Sequence, residues 1–404
     1  MWTIQCRAIV ATSDPLEIKP PTRRGRSIML GLALMIAVAA LVVFAPGLAD
    51  RISGPDPSGL GRGGSGPLPS PSSVTASPPP LDRGYLVSLA ELRSRVVRAK
   101  AGEEPEASAL RGLLKWADEA VLGQPKPKEP LRINGTTGSF VDDSATAYGL
   151  ALAWGATGDT RYAAAARSFV MAWVTTTRTL ENTCPDRGCQ TSLIIGRTAP
   201  GFVFAMDLLG SSGVVSAADS ATFREWLGTV ILPAASLRPS NWGDAGAFLR
   251  AVANDYLDDR SGFDAAIATW HQHLDLVAPD GHIPEEVRRA SAGLSYTQEA
   301  LMYKLAVARI AERRGIDLWD ASGSAGGTLK KAVDFMATAW SQPDQWQYDP
   351  HVTVPAPGPG WELAYAHWPI PTYAAIFESD RPFGGNGHSA VRWTTLTNGI
   401  PIAP

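Results

Sequence analysis

Apolar residues recur at helical spacing through most of the chain. In YAAAARSFVMAWV, Tyr162, Ala166, Phe169, Val170 and Trp173 follow one another at spacings of four, three, one and three, which places them on one helix face. The preceding YGLALAWGATGDTRY reads as a helix, a Gly-Asp turn and the next helix start. The same rhythm recurs at 217–232, 246–256, 263–277, 294–313 and 329–340. Alternating strand patterns are scarce until SAVRWTTLTNGIPI near the end, which reads as a short strand or a tail. About ten to twelve helices joined by modest turns predict an all-α domain. Two shapes suit that pattern: an α-solenoid, or an incomplete (α/α) toroid of antiparallel helix pairs. No fixed-period repeat is present, which weighs against the solenoid. A toroid has a central cleft lined by helix ends and loops, a natural place to bind a polymer.

Before residue 83 the pattern changes. Ile28 to Ala45 is an uncharged apolar run of eighteen residues, preceded by the basic Arg23 to Arg26. It is just long enough to span a bilayer, and its basic flank fits a cytoplasmic N-terminus. A cleaved signal peptide, with Gly47 and Ala49 before the cut, is the alternative. Both readings export the remainder of the chain. Residues 51–82 are rich in Gly, Pro and Ser and read as a spacer without a core. The expected layout is therefore a cytoplasmic segment (1–26), an anchor or signal (27–50), a linker (51–82) and one folded domain (83–404).

Cysteine usage fits export. Cys184 and Cys189 lie in CPDRGC and are expected to form a local disulfide, whereas Cys6 precedes the anchor. A zinc site would need further ligands nearby, and the nearest histidines are remote. The net charge of −3 points neither to nucleic acid nor to an acidic tail. No phosphate loop, Gly-x-Ser-x-Gly elbow, zinc spacing or nucleotide fingerprint is present, so no cofactor is implied. Thirteen tryptophans suit either a core or a surface that stacks sugar rings.

Three stretches could carry chemistry. In the helix predicted over 294–313, Leu294, Thr297, Leu301, Leu305 and Ala308 form the apolar stripe, while Tyr296, Glu299 and Tyr303 fall on a more polar face. Arg289 precedes Tyr296 by seven residues. If the intervening turn is compact, both side chains point the same way, and a guanidinium beside a phenol favours the phenolate. The plainer reading pairs Arg289 with Glu285 or Glu286. In RPSNWGDAGAFLRAVANDYLDD, Ser240 or Asn241 could simply cap the following helix. In CQTSLIIGRTAPGFVFAMDLL, Arg197 reads as part of a Gly-Arg turn before a helix start, free to meet an anion or only solvent.

Taken in order, these segments resemble the alginate lyase superfamily of polysaccharide lyases, from about Asn134 to Tyr373. The segments are YGLALAWGATGDTRYAAAARSFVMAW, IIGRTAPGFVFAMDLL, SNWGDAGAFLRAVANDYLDD, DGHIPEEVRRASAGLSYTQEAL, IAERRGIDLW and GWELAYAHW. The resemblance implies an incomplete (α/α) toroid and β-elimination at a uronic acid within an acidic polysaccharide. One group neutralises the sugar carboxylate, a base removes the C5 proton and an acid protonates the departing O4. The family pattern is Asn-Asn-His, then an Arg and, seven residues later, a Tyr. Arg289 and Tyr296 match the last pair, and Asn241 matches the second asparagine, a carboxylate neutraliser through its amide donors. The pattern breaks where Ser240 replaces the first asparagine and Trp242 the histidine, because indole has no basic nitrogen.

This break leaves three readings open. Tyr296 serves as both base and acid, tuned by Arg289. Another histidine substitutes, His282 being nearest in sequence. Or catalysis is lost and Trp242 stacks a sugar in a binding-only domain. An inverting glycoside hydrolase is a further alternative, with Asp142 or Asp143 opposite Glu285. The leading expectation is an exported, membrane-tethered polysaccharide lyase with Tyr296, Arg289 and Asn241 as catalytic residues and Trp242, Arg197 and His282 contacting substrate.

Overall fold

The computed structural model describes residues 83–402. The anchor and linker expected over 27–82 lie outside the described residues.

Helices succeed one another with short connections, and local sequence explains where they start and stop. Helix Ser139–Thr157 ends at Gly158, whose φ of +76° is a left-handed stop. Asp159 then caps helix Thr160–Thr176 by accepting the Arg161 N–H at 2.9 Å. The two helices, joined by this turn, pack antiparallel against each other. Capping boxes built on Ser88 with Glu91 and on Ser216 with Asp219 start two further helices. Strand structure among the described residues amounts to Leu131–Arg132 paired in parallel with Leu180–Glu181.

The core sits where helices Ser139–Thr157, Pro200–Leu209 and Asn241–Tyr256 meet. The stretch Gln190–Leu209 is long and apolar enough to cross a membrane by composition, yet it is wholly buried inside this domain. Its Phe202 meets Phe140 edge-on at 5.5 Å between ring centres, and Phe140 meets Trp173 at 5.1 Å. Trp173, Trp226, Trp270 and Trp361 are fully buried, so part of the tryptophan excess is core.

Three expectations change. Helix 217–232 is α only as far as Trp226; a π turn over Leu227–Ile231 and a 3-10 turn over Leu232–Ala234 come next, and Pro233 there has no N–H to continue the ladder. The helix expected from Gly246 begins at Asn241, with Ser240 as its cap. Gly243 and Gly246 look like breakers but serve close approach. A Cβ on Gly243 would sit 2.1 Å from the Arg238 carbonyl oxygen, and one on Gly246 1.9 Å from that of Ser236. The C-terminal segment is neither strand nor tail. Thr394–Asn398 is a buried helical turn, and the Thr395 hydroxyl donates to Glu362 at 2.6 Å. Glu362 also takes two bonds from Arg381, at 2.8 and 2.6 Å.

Gly246→Ala is therefore expected to destabilise the fold by about 3 kcal/mol, because two backbones must separate to admit one methyl group. Chemical denaturation checks this, with Gly135→Ala as the comparison, where an added Cβ meets nothing within 4 Å.

Candidate active site

Helix ends and loops enclose a cavity of about 440 Å³, whose wall includes Arg197, Trp242, Arg289, Tyr296, Glu299 and His388. Each comes from an element with its own reason to be there. Trp242 is in the first turn of helix Asn241–Tyr256, and Tyr296 and Glu299 are in the first two turns of helix Gly293–Glu312. Arg289 lies just before that helix, at a bend where Ala290 takes a φ of +51°. A left-handed alanine costs about 1 kcal/mol. The bend turns Arg289 back so that its guanidinium carbon lies 4.8 Å from the centre of the Tyr296 ring. The cation covers the ring face of a half-buried tyrosine.

A polar chain runs from this wall into the buried interior. Arg197 is ion-paired with Glu299, and its Nε donates to the Tyr303 hydroxyl at 2.9 Å. Glu299 accepts the Asn241 Nδ2 at 2.8 Å, and the Asn241 backbone N–H donates to Glu286 at 2.6 Å. Arg289 completes the chain, its Nη2 3.8 Å from Glu286 and 3.6 Å from Glu285. Those separations are ionic contacts, and this buried Nη2 makes no hydrogen bond. Burial pushes the Glu286 carboxyl up to about 7; Asp244 adds to the rise, while the Asn241 N–H, Arg289 and Lys304 oppose it. Beneath lies a second buried cluster, in which Asp244 meets His273 at 2.8 Å and pairs with Lys304. Burial raises the Asp244 carboxyl, but Lys304 and His273 outweigh it and hold the group below its usual range.

The structure relocates several expected residues. Asn241 is fully buried and absent from the cavity wall, and its amide donor is committed to Glu299, so it does not face a substrate carboxylate. Arg197 is not in an exposed turn; it is a buried residue in the last turn of helix Gln190–Thr198. Tyr303 is fully buried rather than on a polar face, its hydroxyl satisfied by Arg197. His282 does not line the cavity; Asp280 holds its ring at 2.6 Å, beside Tyr348 and Phe335. Asp142 and Asp143 lie off the cavity too. Asp143 is buried, accepting the Trp173 Nε1 and the Lys126 N–H, both at 2.7 Å. Glu285 is occupied by Arg238, Arg288 and Arg289. The carboxylate pair of a glycosidase is therefore not assembled.

Cys184 and Cys189 form a disulfide with Cα atoms 5.1 Å apart. The loop it closes accepts the Leu237 N–H at the Pro185 carbonyl, and its Gly188 lies against Trp242. Arg238 covers Trp242 with its guanidinium carbon 5.6 Å from the ring centre. The indole is thus fixed from behind and open toward the cavity.

The residue that sequence reasoning missed is His388. It stands in the Gly-Asn-rich segment GGNGHSA, far in sequence from Arg289 and Tyr296. Six histidines in a chain whose expected base was missing gave a reason to weigh each of them.

The helical fold is shared with solved alginate lyases. The alginate lyase family model matches residues 123–346, more than half of the chain, and the protein belongs to that family. Among solved structures, the fold is similar to alginate lyase A1-III from Sphingomonas species A1, with a TM-score of 0.62, 19% identity, and coverage of 80% of this chain and 98% of that one. It is also similar to an alginate lyase from Bacteroides ovatus, with a TM-score of 0.58, 18% identity, and coverage of 77% and 98%. A variant of A1-III complexed with a tetrasaccharide matches at a TM-score of 0.61 and 16% identity, covering 79% and 96%. No curated protein matches in sequence.

Glu286 gives a pH prediction. Its proton is held more tightly in the fold, at about 7, than at the ordinary carboxyl value of 4.5. Its contribution is therefore most favourable below 4.5 and is lost as pH rises through about 7. The loss amounts to about 3 kcal/mol. In Glu286→Gln, denaturation midpoints measured from pH 4.5 to 8 should lose this component of their slope.

Proposed function

We propose that the protein is a polysaccharide lyase that cleaves a uronic-acid-containing glycan by β-elimination. The observation that carries this reading is the stacking of Arg289 on Tyr296 in the wall of a cavity that also offers Trp242. A uronate needs a cation for its carboxylate, and Arg289 has a buried donor without a hydrogen-bond partner. Neutralising that carboxylate acidifies the C5 proton. A general base takes the C5 proton, the C–H electron pair forms the C4–C5 double bond and C4–O4 breaks. The Tyr296 hydroxyl gives its proton to the departing O4, and the phenolate left behind lies beneath the Arg289 guanidinium. Trp242 offers an apolar face to a neighbouring sugar ring.

The same platform favours a second reading, a glycan-binding module without turnover. We also propose that the domain is exported and held at a membrane by the apolar run from Ile28 to Ala45; the Cys184–Cys189 disulfide supports an oxidising compartment.

Absorbance of 4,5-unsaturated uronate, monitored while the purified protein meets a panel of polyuronates, tests the reaction. Tyr296→Phe should lower kcat by about 100-fold or more while polymer binding persists. Binding with no absorbance growth in the wild-type protein favours the second reading. Trp242→Ala should raise KM by about two- to tenfold, with a smaller change in kcat.

A further inference from the structure

We propose that His388 is the general base that removes the C5 proton, leaving Tyr296 as the acid; this rests on the β-elimination reading above. The chain has six histidines, all among the described residues, and five of them are placed elsewhere. His273 is buried against Asp244, and His282 is held by Asp280. His367 stacks on Trp319 at 4.1 Å in a different pocket. His271 and His351 are exposed and line no part of the cavity. His388 alone stands in the cavity wall with Arg289, Tyr296 and Trp242.

The segment that carries it is built to hold it there. Arg392 is a buried cation with no carboxylate partner in an ion pair among the described residues. Its guanidinium donates instead to the carbonyls of Gly385, Gly387 and Ser389, on both sides of His388. Two residues after His388, Ala390 donates its N–H to the Arg197 carbonyl at 2.7 Å and ties the segment to the end of helix Gln190–Thr198. Gly387, with a φ of +121°, supplies the bend. Arg392 is thus a positioning residue for the imidazole.

The electrostatics suit a base. Partial burial lowers the His388 imidazole from its ordinary value, the cations Arg197 and Arg392 lower it further, and Asp142 opposes them. The ring is therefore neutral at neutral pH, with a lone pair free for C5–H. The cations that lower it also attract the anionic sugar. In the step, the imidazole nitrogen takes the C5 proton and the C–H electron pair forms the C4–C5 double bond. The C4–O4 bond breaks and O4 receives the Tyr296 proton. Solvent exchange then returns the imidazolium proton to the phenolate, so the enzyme is regenerated.

The test measures unsaturated-uronate formation by wild type, His388→Ala and His388→Gln between pH 5 and 9, with circular dichroism and polymer binding recorded for each. The expected result is a kcat lowered about 100- to 10,000-fold in both variants, with binding and fold retained. Added imidazole should rescue His388→Ala and not His388→Gln, whose side chain fills the space. The acid limb of the wild-type kcat/KM profile, where activity falls as His388 is protonated, should lie below the ordinary imidazole value and disappear in both variants. An active wild type whose His388→Ala variant keeps its rate and its acid limb would overturn the assignment and leave Tyr296 with both protons, the lyase reading intact. A wild type that forms no unsaturated product from any polyuronate would overturn the lyase reading, and the base assignment with it.

Discussion

Burying charge in a helical core costs several kcal/mol per ion unless each ion is met by another or by a hydrogen bond. The cavity wall is organised around that constraint. Arg197, Glu299, Asn241, Glu286 and Arg289 form one chain of contacts linking four helices or helix starts. Each link orients the next. Glu299 fixes Arg197 and Asn241, Asn241 fixes Glu286, and Glu286 with Glu285 holds Arg289 over Tyr296. Asn241 is thus a brace within the network.

The chain of contacts is not fully satisfied. Asn241 Oδ1, Glu286 Oε2 and Arg289 Nη2 are buried without hydrogen bonds. Such atoms are costly in a finished core. They run from Asn241 through Glu286 to Arg289, and of the three residues only Arg289 lines the cavity. A Glu286 carboxyl poised near neutrality leaves the charge on Arg289 less fully cancelled than two ionised glutamates would.

Much of the fold was legible from sequence. The Gly158–Asp159 turn and the helices after Ser216, Asp259 and Thr328 are set by apolar period and capping chemistry. Apart from the Pro233 break, the failures are places where tertiary contact overrides local signal. The helix read from Gly246 starts at Asn241, and Gly243 and Gly246 lie where the 235–238 backbone packs against it. Tyr303 resembles a surface residue until Arg197 reaches its hydroxyl from 106 positions away. The site was half legible for the same reason. Arg289 and Tyr296 are near in sequence, and their stacking depends on one local bend. Glu299 and His388 gain meaning only from partners that no local spacing announces.

Trp242 has its own structural setting. A large indole at the first helical turn needs support, and the disulfide-closed loop with Arg238 supplies it from behind. The side chain left facing the cavity offers area and no proton chemistry. Proton chemistry at that wall must come from another element, and the C-terminal segment brings an imidazole there, stitched in place by Arg392 and tied to Arg197. That segment lies beyond the residues matched to the family model, which end at 346. The family-matched core and the segment that completes the wall are therefore separable in sequence. They are coupled in space through Arg197, whose side chain anchors the buried network and whose carbonyl anchors the segment carrying His388.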